Sequence, residues 1–228
     1  MSADDQKRAA GEAAAALVRP GMTVGLGTGS TAVWFVRALA ARGLDRVRAV
    51  ATSLATQVLA IELGIEVVDL DSVGVIDLTV DGADEVGPGL SLIKGAGAAL
   101  LREKLVWEAS RRCVVIADAG KRVGRLGACP LPIEVVAFGH TKTALRLCDA
   151  LSDCDIGAAP SLRLRDGAPV LTDNGNLIYD AACGAIPDPA QLADALKSVT
   201  GVVDHGLFLD LADEALIGGP AGVERLTP

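Results

Sequence analysis

TVGLGTGSTAVWFVRALAARG, residues 23–43, is the stretch whose reading decides the fold. Residues 23–26 read as a short strand, Gly27-Thr28-Gly29-Ser30-Thr31 as a glycine-rich turn, and residues 32–43 as a helix closed by Gly43. A strand that passes through glycines into a helix opening with hydroxyl residues makes an anion site, because free backbone N–H groups and the positive end of the helix dipole face the turn. The plainer alternative is a tight βα turn in which Ser30 or Thr31 caps the helix. Gly25-Leu26-Gly27 also begins like the dinucleotide fingerprint, but Ser30 replaces its third glycine. The next expected strand, 47–51, runs into Thr52-Ser53 rather than the acid that would hold a ribose hydroxyl. The turn is read as a phosphate site without a dinucleotide.

Working outward, residues 3–19 have a helical pattern, with Asp4 or Asp5 as N-cap candidates and Pro20-Gly21 as the stop. Downstream, Ser53 is expected to cap a helix to residue 63, followed by strands at 65–68 and 76–80. A helix over 98–110 precedes CVVIA, 113–117, a continuous apolar run of the kind found in a central strand buried on both faces. This alternation predicts an α/β fold: a Rossmann-like, doubly wound, mostly parallel sheet with its site in loops at the strands' carboxyl ends.

The grammar changes near Cys129-Pro130-Leu131-Pro132. A strand at 133–138, helices at 141–151 and 187–197, strands at 161–165 and 202–209, and an Asn174-Gly175 hairpin signal within 170–179 suggest a second, smaller α+β domain. The expected division is residues 1–130 with 207–228 for the first domain and 131–206 for the inserted one, the last stretch, 215–226, rejoining the first sheet.

Half of the chain is hydrophobic and only 3% aromatic, as suits an α/β protein with close helix–sheet packing. No apolar run reaches the roughly 18 residues needed to span a bilayer, and the N-terminal stretch mixes acids with bases, unlike a signal or transit peptide. A cytoplasmic location is the expectation. The net charge of −8 disfavours nucleic acid or an anionic membrane as partner, but leaves room for a small anion where a few cations converge. Five cysteines without CxxC or metal spacing read as reduced thiols, and two histidines do not suggest a metal centre.

The chemistry concentrates in DGADEVGPGLSLIKGAGAALLREK, residues 81–104. Asp81 and Asp84 are expected to leave a strand end into a loop. Lys94 opens a second loop, Gly95-Ala96-Gly97, which enters a helix whose second turn carries Glu103. With a sugar phosphate held at 27–31 and by Lys121, the simplest reaction for this set is proton transfer beside a carbonyl. It needs a positioned base and a group that neutralises the developing oxyanion. Glu103 is the candidate base, Lys94 the candidate enediolate partner, and Asp81 and Asp84 candidate shuttles for hydroxyl protons. Taken singly, each has a plainer reading: Asx turns for the aspartates, a solvated loop charge for Lys94, an exposed helix face for Glu103.

At these residues the chain resembles ribose-5-phosphate isomerases of the A type. The resemblance rests on GLGTGST (25–31), DGADEV (81–86), KGAGAALLREK (94–104), ADAGK (117–121), TDNGN (172–176) and GVVDHGLF (201–208), in the family's order over nearly the whole chain. It implies interconversion of ribose 5-phosphate and ribulose 5-phosphate through an enediol in the pentose phosphate pathway, without metal or cofactor, by a homodimer or homotetramer. By matching position Glu103 is the proton acceptor, assisted by Asp81, Asp84 and Lys94. Substrate contacts are implied for Thr28, Gly29, Ser30, Thr31, Asp81, Gly82, Ala83, Asp84, Lys94, Gly95, Ala96, Gly97, Lys121 and Lys7. Ala96 stands where the family more often has glycine, and a positive φ there would strain it. The rival readings are a non-catalytic sugar-phosphate sensor and a magnesium-dependent sugar phosphatase using the aspartates as ligands.

Overall fold

A computed structural model describes residues 1–228. In chain order its elements are α1 (Ala3–Ala15), β1 (Thr23–Leu26), α2 (Ser30–Ala41), β2 (Arg48–Ala51), α3 (Leu54–Glu62), β3 (Glu66–Val67), β4 (Leu78–Gly82), β5 (Glu85–Val86), β6 (Leu92–Ile93), α4 (Leu100–Glu108), β7 (Cys113–Asp118) and β8 (Leu131–Val135). They continue with α5 (His140–Asp153), β9 (Ser161–Leu162), β10 (Leu164–Arg165), β11 (Ala168–Pro169), β12 (Leu177–Ala181), α6 (Pro189–Ser198), β13 (Val202–His205), β14 (Leu207–Phe208), β15 (Glu214–Gly219) and β16 (Gly222–Leu226). No helix is long and apolar enough to cross a membrane. The chain divides into two units, Met1–Ala83 with Arg102–Arg122 and Asp210–Pro228, and Asp84–Leu101 with Val123–Leu209.

The first unit is built on a seven-stranded sheet of order β16-β15-β7-β4-β1-β2-β3, parallel except for β16. Residues of even number, Val24, Leu26, Leu78, Val80, Val114, Ile116 and Leu216, share a core with Ala10 and Ala14 of α1, Phe35 and Val36 of α2, and Ala60 of α3. On the sheet's other face Val50 of β2 and Ile76, just ahead of β4, pack with Val106 of α4. This is the period-2 alternation of strands covered on both faces. From β1 the chain moves outward to β2 and β3, then returns to the other side of β1 as β4 and continues to β7. The order therefore reverses between β1 and β4, and such a reversal opens a crevice at the strands' carboxyl ends.

The first helix departs from the expected cap. Its N-cap is Ser2, not Asp4 or Asp5; Asp5 instead completes a capping box with Ser2. Both the side chain and the backbone of Ser2 thereby find partners, which neither aspartate would supply as N-cap. Ser53 caps α3 as read, accepting from Thr56 N at 3.1 Å.

The second unit carries the four-stranded sheet β13-β8-β12-β9, the three-stranded sheet β14-β6-β5 and the hairpin β10-β11. Leu131, Ile133, Val135, Leu177 and Tyr179 alternate onto one face, where Leu147 and Leu151 of α5 and Leu192 and Leu196 of α6 complete its core. Residues 84–101 and 123–130 belong to this unit, so the change of grammar at 129–132 falls inside it. The local reason is hydrogen bonding: β6 pairs with both β5 and β14, and the buried Glu85 accepts from Gly127 N and Cys129 N. The Asn174-Gly175 signal forms a tight turn, Gly175 N to Thr172 O at 2.9 Å, closed by a single bridge between Leu171 and Leu177. No long hairpin follows, because β12 pairs with β8 and β9 instead.

Candidate active site

Within the first unit, the turn after β1 lies against the end of β4. Gly27 N donates to Val80 O at 2.9 Å, and a Cβ on Gly27 would fall 2.1 Å from Asp81 Oδ1 and 2.5 Å from Asp81 Cα. Only glycine permits that approach. Thr28 N then donates to Asp81 Oδ1 at 3.0 Å, and Gly82 N to the same oxygen at 2.7 Å. Asp81 is completely buried and lies within β4, not in the loop expected for it. Pairing of β4 with β7 extends to Gly82↔Ile116 and carries the strand two residues beyond its apolar run.

Neither Ser30 nor Thr31 caps α2. Its N-cap is Gly29 at φ 102°, without a side-chain cap bond. The α2 N-terminus therefore presents backbone N–H groups, the arrangement that favours an anion. Ser30 Oγ is turned to Lys7 Nζ at 3.1 Å. Gln6, beside Lys7 on α1, accepts from Ala119 N at 3.2 Å through its Oε1. That bond ties α1 to the 3-10 turn Ala119–Lys121, which Asp118 caps through Gly120 N at 3.0 Å. Lys7, Ser30 and the Lys121 turn are thus brought into one neighbourhood, and Gly82 packs beside Thr28 and Thr31.

Thr28 Oγ1 lies 2.7 Å from Thr52 Oγ1 and 2.8 Å from Ser53 Oγ. Thr56 Oγ1 donates to Gly27 O at 3.0 Å, and Thr52 Oγ1 to Leu26 O at 3.0 Å. These hydroxyls from the end of β2 and the start of α3 brace the turn. The sequence shows Thr52-Ser53 only as the absence of a nucleotide-binding acid and as a helix cap. The missed signal is their place at the end of the strand that pairs with β1.

Glu103 stands in the first turn of α4, one turn earlier than expected, because the helix begins at Leu100. Thr79 Oγ1 lies 2.7 Å from Ser110 Oγ, and Ile76 N donates to Ala109 O at 3.0 Å. The end of α4 is therefore beside the start of β4, and the two run antiparallel. From that shared level Asp81 lies about 7 Å up the strand and Glu103 about 10 Å up the helix. A Cβ on Gly25 would meet Val106 Cγ1 at 2.8 Å, so Val106 marks the helix face against the sheet. Glu103, one turn from Val106 and 4% exposed, shares that face. Asp81 shares the parity of Thr79. Both carboxylates are therefore buried on one side of the sheet, at its carboxyl end.

Within the second unit, Lys94 follows β6 directly and is 2% exposed, its N–H donating to Gly206 O at 2.9 Å and its Nζ standing 5.3 Å from the Phe208 ring centroid. Gly206 must lack a side chain, since a Cβ there would fall 2.2 Å from Lys94 O. Gly95 takes φ 111° against Leu100. Ala96 is outside the left-handed region; the loop residue that enters it is Ala98, at φ 58°. Ala96 N donates to Asp84 Oδ2 at 2.9 Å, so Asp84 and the 95–97 loop form one hydrogen-bonded piece. Arg163 and Asp180, which also hold this loop, carry no local sequence signal, since Arg163 bonds a carbonyl 68 residues away.

Comparison with known proteins agrees with this architecture. Residues 48–222 match the family model described as ribose 5-phosphate isomerase A (phosphoriboisomerase A). The chain is 69% identical to a ribose-5-phosphate isomerase A of Caulobacter vibrioides over 228 residues, all of both chains. A solved ribose 5-phosphate isomerase from Plasmodium falciparum superposes with TM-score 0.93 at 35% identity over 99% of each chain. A solved D-ribose-5-phosphate isomerase in complex with phospho-erythronic acid gives 0.92 at 37% identity over the whole of both. With relatives so similar along its entire length, the chain belongs to the ribose 5-phosphate isomerase A family.

Proposed function

We propose that this chain interconverts D-ribose 5-phosphate and D-ribulose 5-phosphate as an aldose–ketose isomerase of the pentose phosphate pathway. The observation that carries the reading is the pair of buried carboxylates, Asp81 and Glu103, on one face at the carboxyl end of the sheet in a chain of this family. Glu103 takes the C2 proton of the open-chain aldose, and the electron pair moves to give a C1–C2 enediolate. The same carboxyl returns the proton to C1, leaving a carbonyl at C2. Lys94 neutralises the oxyanion as charge develops, and Asp81 and Asp84 move the hydroxyl protons and assist ring opening. The proton removed is the proton returned, so the balance needs no redox partner.

The phosphate is assigned to residues 28–31 at the start of α2, with Lys7 and Lys121 supplying positive charge. Gly82, Ala83 and the 95–97 loop are assigned to the sugar. Phospho-erythronic acid, the ligand of a related isomerase, carries a planar carboxylate comparable to the oxygens of an enediolate. A homodimer or homotetramer in the cytoplasm is proposed on the family resemblance. Mixing the protein with ribose 5-phosphate and following ketose, with and without chelator, tests the reading. Ketose formation unaffected by chelator is expected; binding without turnover would favour a sensor, and chelator-sensitive release of free phosphate a phosphatase.

A further inference from the structure

One strongly held side chain in the second unit has no role in the reaction described above. Arg163 is 16% exposed at its side chain and lies between β9 and β10. Its backbone is fixed on both sides, its N–H donating to Ile178 O at 2.8 Å and its carbonyl accepting from Val170 N at 3.0 Å. One edge of the guanidinium grips the Asp180 carboxylate in a two-point fork, through Nε at 2.7 Å and through Nη2. From Nη1 it donates to Gly95 O at 2.9 Å and to Ala96 O at 3.1 Å.

Gly95 O and Ala96 N belong to the same peptide unit and point in opposite directions. Arg163 holds the oxygen end, and Asp84 Oδ2 accepts from the N–H end at 2.9 Å. A cation at the negative pole and a carboxylate at the positive pole both favour this orientation over the flipped one, which would turn Gly95 O toward Asp84. Gly95, at φ 111°, is the residue type for which such a flip is cheapest, so the lock is placed where it is needed. We propose that Arg163, oriented by Asp180, is a positioning residue that locks the 95–96 peptide and thereby the placing of Asp84 beside the substrate's hydroxyls. The role in turnover rests on the isomerase reading; the lock itself does not.

The test compares the parent with Arg163→Ala, Arg163→Lys and, as a control, Arg165→Ala, an exposed arginine close by in sequence. Hydrogen exchange at the Ala96 amide reports the lock directly. Protection is expected to fall at least tenfold in Arg163→Ala, while amides of β8 and β12 keep theirs and Arg165→Ala matches the parent. Turnover on ribose 5-phosphate is expected to lose roughly 100-fold in kcat with KM moving less than about threefold. Lysine cannot span the fork and both carbonyls, and is expected to recover no more than about a tenth of parental kcat. Guanidinium chloride, below unfolding concentrations, is expected to restore part of the kcat of Arg163→Ala, which a merely destabilised fold would not permit. Unchanged Ala96 protection in Arg163→Ala overturns the lock, and so does an unchanged amide in Arg163→Lys should the alanine variant not fold. Parental kcat with protection lost overturns the role in positioning. A parent without isomerase activity would defeat the isomerase reading, while the exchange result still judges the lock.

Discussion

Gly27→Ala puts the contact between the first turn and Asp81 under direct strain. The added methyl carbon would sit 2.1 Å from Asp81 Oδ1, 2.3 Å from its Cγ and 2.5 Å from its Cα. Unstrained carbon contacts lie at about 3.5–4.0 Å, so the turn and β4 must separate by about 1 Å or more. Such a shift sacrifices the Gly27 N to Val80 O bond at 2.9 Å and the Thr28 N to Asp81 bond at 3.0 Å. A neutral backbone bond is worth about 0.5–1.5 kcal/mol and one to a charged group about 1.5–3, giving a loss of about 2–4.5 kcal/mol. Urea unfolding of parent and variant measures this as a lower midpoint at unchanged slope. In turnover assays on ribose 5-phosphate, displacing a reactive carboxylate by about 1 Å is expected to cost on the order of 100-fold in kcat. Trimming Asp81 in the same chain should not restore the urea midpoint, because the Asp81 Cα is itself within 2.5 Å of the new methyl. A Gly27→Ala protein that unfolds within about 0.5 kcal/mol of the parent and turns over normally would refute the argument. Full recovery of stability on trimming Asp81 would refute its backbone half.

Glu103→Gln is expected to lose most of kcat with little change in KM, and near-parental turnover would remove Glu103 from the base role. Lys121→Ala and Lys7→Ala are expected mainly to raise KM, an effect that shrinks at high salt as their charges are screened. Ala96→Gly should leave the unfolding free energy measured in urea within about 1 kcal/mol of the parent's, whereas Gly95→Ala, at φ 111° against Leu100, should lower it by more than that. Burial, with a smaller push from Asp213, raises the Cys113 thiol from 9.0 to about 12. The folded chain therefore keeps a proton that the unfolded chain has already lost between those values, so this residue's contribution is complete below pH 9 and declines as pH rises toward 12. Cys113→Ala should flatten that part of the alkaline stability curve, and an unchanged slope would show that the thiol does not contribute.

Much of the fold was legible because its signals are local. The glycines at 27 and 29, the apolar run at 113–117 and the helical spacing after each strand report backbone conformation and burial over a few residues. The same holds for the candidate reactive side chains, which are close in sequence within residues 81–104, and for the candidate phosphate turn at 27–31. What the sequence placed less well depends on partners far along the chain. Asp81 belongs to β4 because β7 extends the pairing, Ser30 faces Lys7 rather than capping α2, and β12 chose β8 and β9 over the Asn-Gly hairpin. The concern over Ala96 also moved, since only the traced backbone shows that Ala98 takes the positive φ.

The sequence by itself determined the class of fold and the run of strands and helices, and it pointed to the candidate reactive groups, since each is written in residue types within one turn or one strand. Tertiary structure alone decided how those groups are held: the two amides on Asp81, the hydroxyls braced behind Thr28, the first-turn place of Glu103, and the Arg163–Asp180 fork on the 95–96 peptide. Hydrogen bonds between residues tens of positions apart exist only once strands have paired, and no spacing in the chain announces them.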